Sequence, residues 1–117
     1  MMPDYTFTEY QLGVDAVSKY PEVGSGSLTA RLYAVLGLNG EAGEVAEKFK
    51  KIMRDKDGVF TKEDEDEILK EIGDVLWYAA ALAAEMGYSL EEVAVRNLEK
   101  LNSRKNRGVL GGSGDNR

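Results

Sequence analysis

The chain contains neither cysteine nor histidine. Without cysteine there is no disulfide framework and no thiolate nucleophile. Without histidine, Ser-His-Asp and Cys-His catalysis and the usual zinc sites drop out. Any hydrolytic chemistry therefore falls to carboxylates and a hard cation. Massed positive charge is also missing: 15 Lys and Arg against 21 Asp and Glu leave a net charge of −6. That argues against a nucleic-acid polymer as partner, because phosphate tracts need clustered Lys and Arg; a basic patch for one small phosphorylated ligand remains compatible. No apolar run approaches the length of a membrane span. The first residues, MMPDYTFTEY, have no basic segment followed by an apolar core and do not read as a signal peptide. A soluble cytoplasmic protein with no membrane partner is the expectation.

At 117 residues the chain is sized for one domain. Helix signals recur along it and strand signals do not. Thr8 and Gln11 have capping-box spacing, with Phe7 and Leu12 placed as a hydrophobic staple. That first helix is expected to run to about Lys19 and stop before Pro21. PEVGSGSLT is a loop. A second helix starts near Leu28 and continues to about Arg54, and DKDGVF is a turn. Thr61, with Asp64 three residues on, opens a third helix that runs to Met86, where Gly87 suits the left-handed position beyond its end. Ser89 and Glu92 open a fourth, to about Arg104, and a glycine-rich tail follows. The predicted organisation is a helical domain over 1–104 and a tail over 105–117. The predicted fold is all-α, an antiparallel four-helix bundle.

Sorting the second helix at about 100° per residue gives an apolar stripe of Val35, Leu38, Ala42, Val45, Ala46, Phe49 and Met53. Beside it run Gly37, Glu41, Glu44 and Lys48. In the third helix, Ile68, Ile72, Val75, Ala79, Leu82 and Met86 form the apolar stripe, flanked by Glu67, Glu71, Asp74 and Tyr78. Glycines at 37, 40 and 43 each cost about 1 kcal/mol of helix stability against alanine; close approach by a helix or a ligand would offset that. If the two helices pack antiparallel through their apolar stripes, the pairs Glu41/Glu44 and Glu71/Asp74 converge, and their repulsion calls for a cation. Oxygen-only donors suit Mg²⁺ or Mn²⁺. The alternative is that both pairs are solvated helix faces.

Other residues leave two readings each. Asn97 falls within the fourth helix's apolar stripe of Leu90, Val93, Ala94 and Leu101. It either bonds a neighbouring helix or faces the acidic groove. Lys100 and Arg104 continue toward that side, and Lys48, Lys51 and Arg54 extend the second helix's acidic stripe with positive charge, as a polyphosphate would require. Trp77 lies in a subunit interface or against a base. The tail is disordered or closes over substrate.

These residues resemble the MazG-type nucleotide pyrophosphohydrolases of the all-α NTP pyrophosphatase superfamily. The family carries Glu-x-x-Glu on one helix and Glu-x-x-Asp on the next. EAGE supplies Glu41 and Glu44, EIGD supplies Glu71 and Asp74, and RNLEKLNSR is similar to the Asn-x-x-Lys segment that follows, with Asn97, Lys100 and Arg104. The chain departs from the pattern at Gly40, where many members have a second glutamate. The resemblance implies cleavage of a nucleoside triphosphate between its α and β phosphates. Glu41, Glu44, Glu71 and Asp74 would be the catalytic and Mg²⁺- or Mn²⁺-holding residues, with Glu44 orienting water. Lys48, Lys100 and Arg104 would contact phosphates, and Asn97 phosphate or sugar. It also implies a homo-oligomer, a tetramer in preference to a dimer. The departure at Gly40 keeps a non-catalytic nucleotide- or metal-binding module as the alternative.

Overall fold

The computed structural model describes residues 5–117; the first four residues of the stretch read as lacking a signal peptide lie outside them. Four helices follow in order: α1 (Phe7–Val17), α2 (Leu28–Asp55), α3 (Lys62–Glu85) and α4 (Leu90–Arg107). No strand occurs among the described residues. Among the described residues no helix is long and apolar enough to cross a membrane.

Each helix starts where a short side chain satisfies a free backbone N–H. Ser27 accepts from Ala30 N, Thr61 from Asp64 N and Ser89 from Glu92 N, and Asp64 completes a reciprocal box with Thr61. α3 ends on Gly87 at φ 85°, and α4 on Gly108 at φ 72°. The first helix differs from expectation. Its cap is Thr6, which accepts from Glu9 N, and it ends at Val17 rather than Lys19. Thr6/Glu9 and Thr8/Gln11 have the same spacing, and tertiary contacts decide between them. Thr8 donates instead to Glu91 at 2.7 Å. Gln11, buried, donates to the Ala80 carbonyl at 3.1 Å and accepts from Leu90 N at 2.9 Å. One amide thus ties α1 to the body of α3 and the start of α4.

α2 and α3 form a long hairpin whose antiparallel pairing is fixed by its facing residues. Lys56 bonds Asp64 near the turn at 2.8 Å, and Gly37 meets Tyr78 farther along. At the end where α2 begins and α3 finishes, α1 and α4 join them around a core of Val14, Tyr20, Ala30, Ala34, Ala80, Ala81 and Leu90. Tyr20 and Tyr33 stack there with ring centres 5.1 Å apart. Glu85, 4% exposed, clamps the α1–α2 loop by accepting from Tyr20 Oη at 2.5 Å, Gly24 N at 2.8 Å and Gly26 N at 3.0 Å.

A single chain does not close the predicted four-helix bundle. α1 and α4 pack on α3 and on one another, and neither makes a close backbone approach to α2. The radius of gyration is 17.0 Å, against about 13 Å for a compact domain of this length. The stripe expected to be core on α2 is largely open: Val35, Phe49 and Met53 are exposed, and so are Ile72 and Met86 on α3. The helical periodicity is present, but one chain supplies no element to cover that face.

Candidate metal centre

Halfway along the hairpin, two turns of helix bring acidic side chains together. Glu41 on α2 and Glu71 and Asp74 on α3 each place one carboxylate oxygen within 4.8 Å of the others. On α3 the three-residue spacing of Glu71 and Asp74 sets both on one face, one turn apart. Antiparallel pairing then brings Glu41 opposite them. This close approach depends on Gly37. A Cβ there would stand 2.1 Å from the Tyr78 ring, so only glycine lets the tyrosine lie across α2 one turn before Glu41. Gly40, Gly43 and Gly73 have open space above them in the isolated chain.

The electrostatics of the cluster are those of crowded like charges. Glu41 is pushed above the ordinary carboxylate range, first by partial burial and then by the neighbouring charges of Asp74 and Glu71. The phenols nearby respond in the same sense. Burial raises the Tyr10 and Tyr78 hydroxyls, and Asp74 adds to both. Glu41, Asp74, Trp77 and Tyr78 line an open cavity of about 310 Å³.

The donor set fits a hard cation. Oxygens around one octahedral Mg²⁺ stand about 4.2 Å apart when opposite and about 3 Å apart when adjacent, so three carboxylate oxygens within 4.8 Å of one another would draw closer on sharing an ion. All three donors are carboxylates, the chain offers no imidazole or thiolate, and no lysine or arginine is hydrogen-bonded into the cluster.

Glu44 stands outside the group of three. It is exposed, one turn along α2, though its charge still contributes to the rise at Glu41. Lys48 lies seven residues from Glu41, about 10 Å along the helix. It lines a separate cavity of about 200 Å³ with Lys51, Lys56, Asp64 and Glu67. Of the other cations that were expected to extend the acidic stripe, Arg54 pairs with Asp55 at 2.8 Å.

α4 packs on α1 and α3. Asn97 is exposed, as are Val93 and Leu101 of the stripe in which it falls. Lys100 and Arg104 face the chain's own tail. Arg104, 4% exposed, donates to the Asp115 carbonyl at 2.7 Å and carboxylate at 3.2 Å, and Lys100 reaches the same carboxylate at 3.2 Å. The Arg104 Nε is buried without a partner. The tail itself is folded back: the Arg117 guanidinium donates to the carbonyls of Val109, Leu110, Gly111 and Gly114. Sequence reasoning singled out neither Tyr10 nor Glu85. Both owe their positions to contacts between distant segments, and nothing local marks them.

The described residues are all-helical or irregular, with a carboxylate cluster midway along the α2–α3 hairpin. Residues 31–109 match the MazG nucleotide pyrophosphohydrolase domain, and the chain belongs to that family. It is also 51% identical over 109 residues to the Gene 37 protein of Mycobacterium phage L5, across 92% of this chain and 96% of that one. No solved structure matches the chain.

Proposed function

We propose that the chain is a divalent-metal-dependent nucleoside triphosphate pyrophosphohydrolase, cleaving between the α and β phosphates to give a monophosphate and pyrophosphate. The observation that carries this reading is the cluster itself: three carboxylates within 4.8 Å, one of them held above its normal range, on the helices that carry the family's paired acidic motifs. Glu41, Glu71 and Asp74 hold the cation, and Glu44 joins them by a side-chain rotation of a group already exposed at the edge of the cluster. Bound there, Mg²⁺ or Mn²⁺ would neutralise charge on the phosphates and the leaving group and acidify an attacking water. Phosphoryl transfer depends mainly on positioning and charge compensation, so no protein nucleophile is needed. Glu44 orients the water, Lys48, Lys100 and Arg104 compensate phosphate charge, and Asn97 bonds phosphate or sugar.

The open apolar face of α2 and α3 supports self-association, and we assign a homo-oligomer, a tetramer in preference to a dimer. In it a second copy covers Val35, Phe49, Met53 and Ile72. The negative net charge argues against a nucleic-acid polymer as substrate, and we assign the chain to the cytoplasm.

Incubation with each NTP and dNTP plus Mg²⁺, reading pyrophosphate release, tests the activity. At least one substrate is expected to turn over, and Glu71→Gln to slow it about 100-fold or more. No pyrophosphate across the panel would refute it. Gly40, in the place of a family glutamate, favours one other reading, a non-catalytic nucleotide-binding module; thermal stabilisation by nucleotide and Mg²⁺ without turnover would select it.

A further inference from the structure

A second cavity of about 440 Å³ lies between α1 and α3, lined by Tyr5, Tyr10, Gly13, Val14, Val17 and Trp77. Its wall is mostly aromatic and aliphatic, and its one charged group is Glu9. Trp77 also lines the acidic cavity, so one indole ring divides the two spaces. Tyr10 forms part of the opposite wall, from α1. The indole is held in place by Tyr78, edge to face at 5.0 Å. Gly13 opens the side of the cavity on α1, where a Cβ would meet nothing within 4 Å.

A carboxylate cluster suited to a phosphate-bound cation thus stands one side chain away from an aromatic slot. Resting on the pyrophosphohydrolase reading, we infer that this slot receives the nucleobase of the substrate, with Trp77 and Tyr10 as its stacking walls. The occupant is a planar heteroaromatic ring tethered through its sugar to phosphates at Glu41, Glu71 and Asp74. Every base has a π face, so stacking fixes the position of the ring, while the Glu9 carboxylate and Tyr10 hydroxyl at the wall bear on which base is held.

Trp77 is the chain's single tryptophan, so its fluorescence is a local probe of the slot and of the acidic cavity beside it, and a base-free ligand separates the two. The full chain with Mg²⁺ is titrated with α,β-imido deoxynucleoside triphosphates of the four bases, and with pyrophosphate as a base-free control. At least one base-bearing ligand is expected to quench Trp77 strongly at saturation, while pyrophosphate binds by calorimetry with little change in emission. Gly13→Leu fills the slot, keeps the fluorophore and suits a helix. It is expected to weaken the triphosphate analogue about 10- to 100-fold, the range for losing a stacked base, and to leave pyrophosphate affinity unchanged. Trp77→Leu is expected to match it by calorimetry. Triphosphate and pyrophosphate both binding, with Trp77 silent and Gly13→Leu unaffected, would overturn the base slot and leave the metal site standing. Binding of neither ligand to folded protein would overturn both. Trp77 emission that follows protein concentration and ignores ligand would assign the slot to a second copy and overturn the inference.

Discussion

Alanine substituted for glycine at four helical positions is expected to change stability in opposite directions. In an isolated helix each substitution stabilises by about 1 kcal/mol. At Gly37 the new Cβ would lie 2.1, 2.4 and 2.5 Å from three atoms of the Tyr78 ring. No small adjustment relieves three such contacts, so either the ring swings out or the two helices separate. Overpacking of this kind costs about 1–3 kcal/mol, and displacing a half-buried aromatic ring belongs at the upper end. Subtracting the propensity gain leaves Gly37→Ala destabilised by about 1–2 kcal/mol, a fall in melting temperature of about 5–15 °C for a chain of this length. Gly40, Gly43 and Gly73 have nothing within 4 Å of a Cβ, so alanine there is expected to raise the melting temperature by a few degrees. Circular dichroism at 222 nm through a thermal ramp measures all four. Gly37→Ala melting at or above the parent would refute the account of how α2 and α3 approach. Because Tyr78 lines the acidic cavity, Gly37→Ala is also expected to weaken Mg²⁺ binding by calorimetry.

Three other substitutions probe separate parts of the molecule. Gln11→Leu leaves Leu90 N without its acceptor and frees the Ala80 carbonyl, and is expected to cost about 2–4 kcal/mol in urea unfolding; a loss below 0.5 kcal/mol, on the order of a surface change, would contradict its bridging role. Asp64 is held down to about 2 by the Lys56 ammonium and then by the Thr61 backbone. A depressed carboxylate stabilises above its unfolded pKa, near 3.8, and that contribution is lost as pH falls toward 2. Acid titration of Asp64→Asn should therefore show a weaker stability loss between pH 4 and 2, and an unchanged acid limb would count against the pairing. Asp115→Asn removes the carboxylate shared by Lys100 and Arg104. Since Asp115 is 82% exposed, the cost to global stability is expected to be small and the effect to be local, seen as faster limited proteolysis beyond Gly108; unchanged cleavage would argue that Arg117 alone holds the tail.

Much of this architecture was legible along the chain because its signals are local. α2, α3 and α4 begin where Ser27, Thr61 and Ser89 satisfy backbone N–H groups, and the glycines after α3 and α4 end them. The acidic face was legible for a related reason: a three-residue spacing fixes which carboxylates share a turn, and a short connection forces α3 back along α2. What was not legible depends on partners distant in sequence. The spacing pointed to Thr8 as the first cap, whereas Thr6 holds it, because Thr8 and Gln11 are engaged by Glu91 and Leu90, some eighty residues away. The apolar stripe of Val35, Phe49 and Met53 was correctly read as a stripe, yet the pattern says only that a face needs covering. It does not say whether the same chain provides the cover. Asn97 follows from that, because its surroundings depend on what packs against α4. The placement of Lys100 and Arg104 against Asp115 likewise required knowing how a glycine-rich segment turns back.

The hairpin behaves mechanically as a cantilever. Its root is clamped by α1, α4 and the stacked tyrosines, whereas its far tip rests on little more than Ile52, Ile68 and the Phe49–Phe60 edge contact. The three carboxylates sit at midspan, between that clamped root and the lighter Lys56–Asp64 and Phe49–Phe60 contacts of the tip. A small deflection at the root is enough to bring them into or out of range of a shared ion. Amide exchange should accordingly be slow at the root, fast at the tip, and intermediate and ion-sensitive at Glu41 and Asp74.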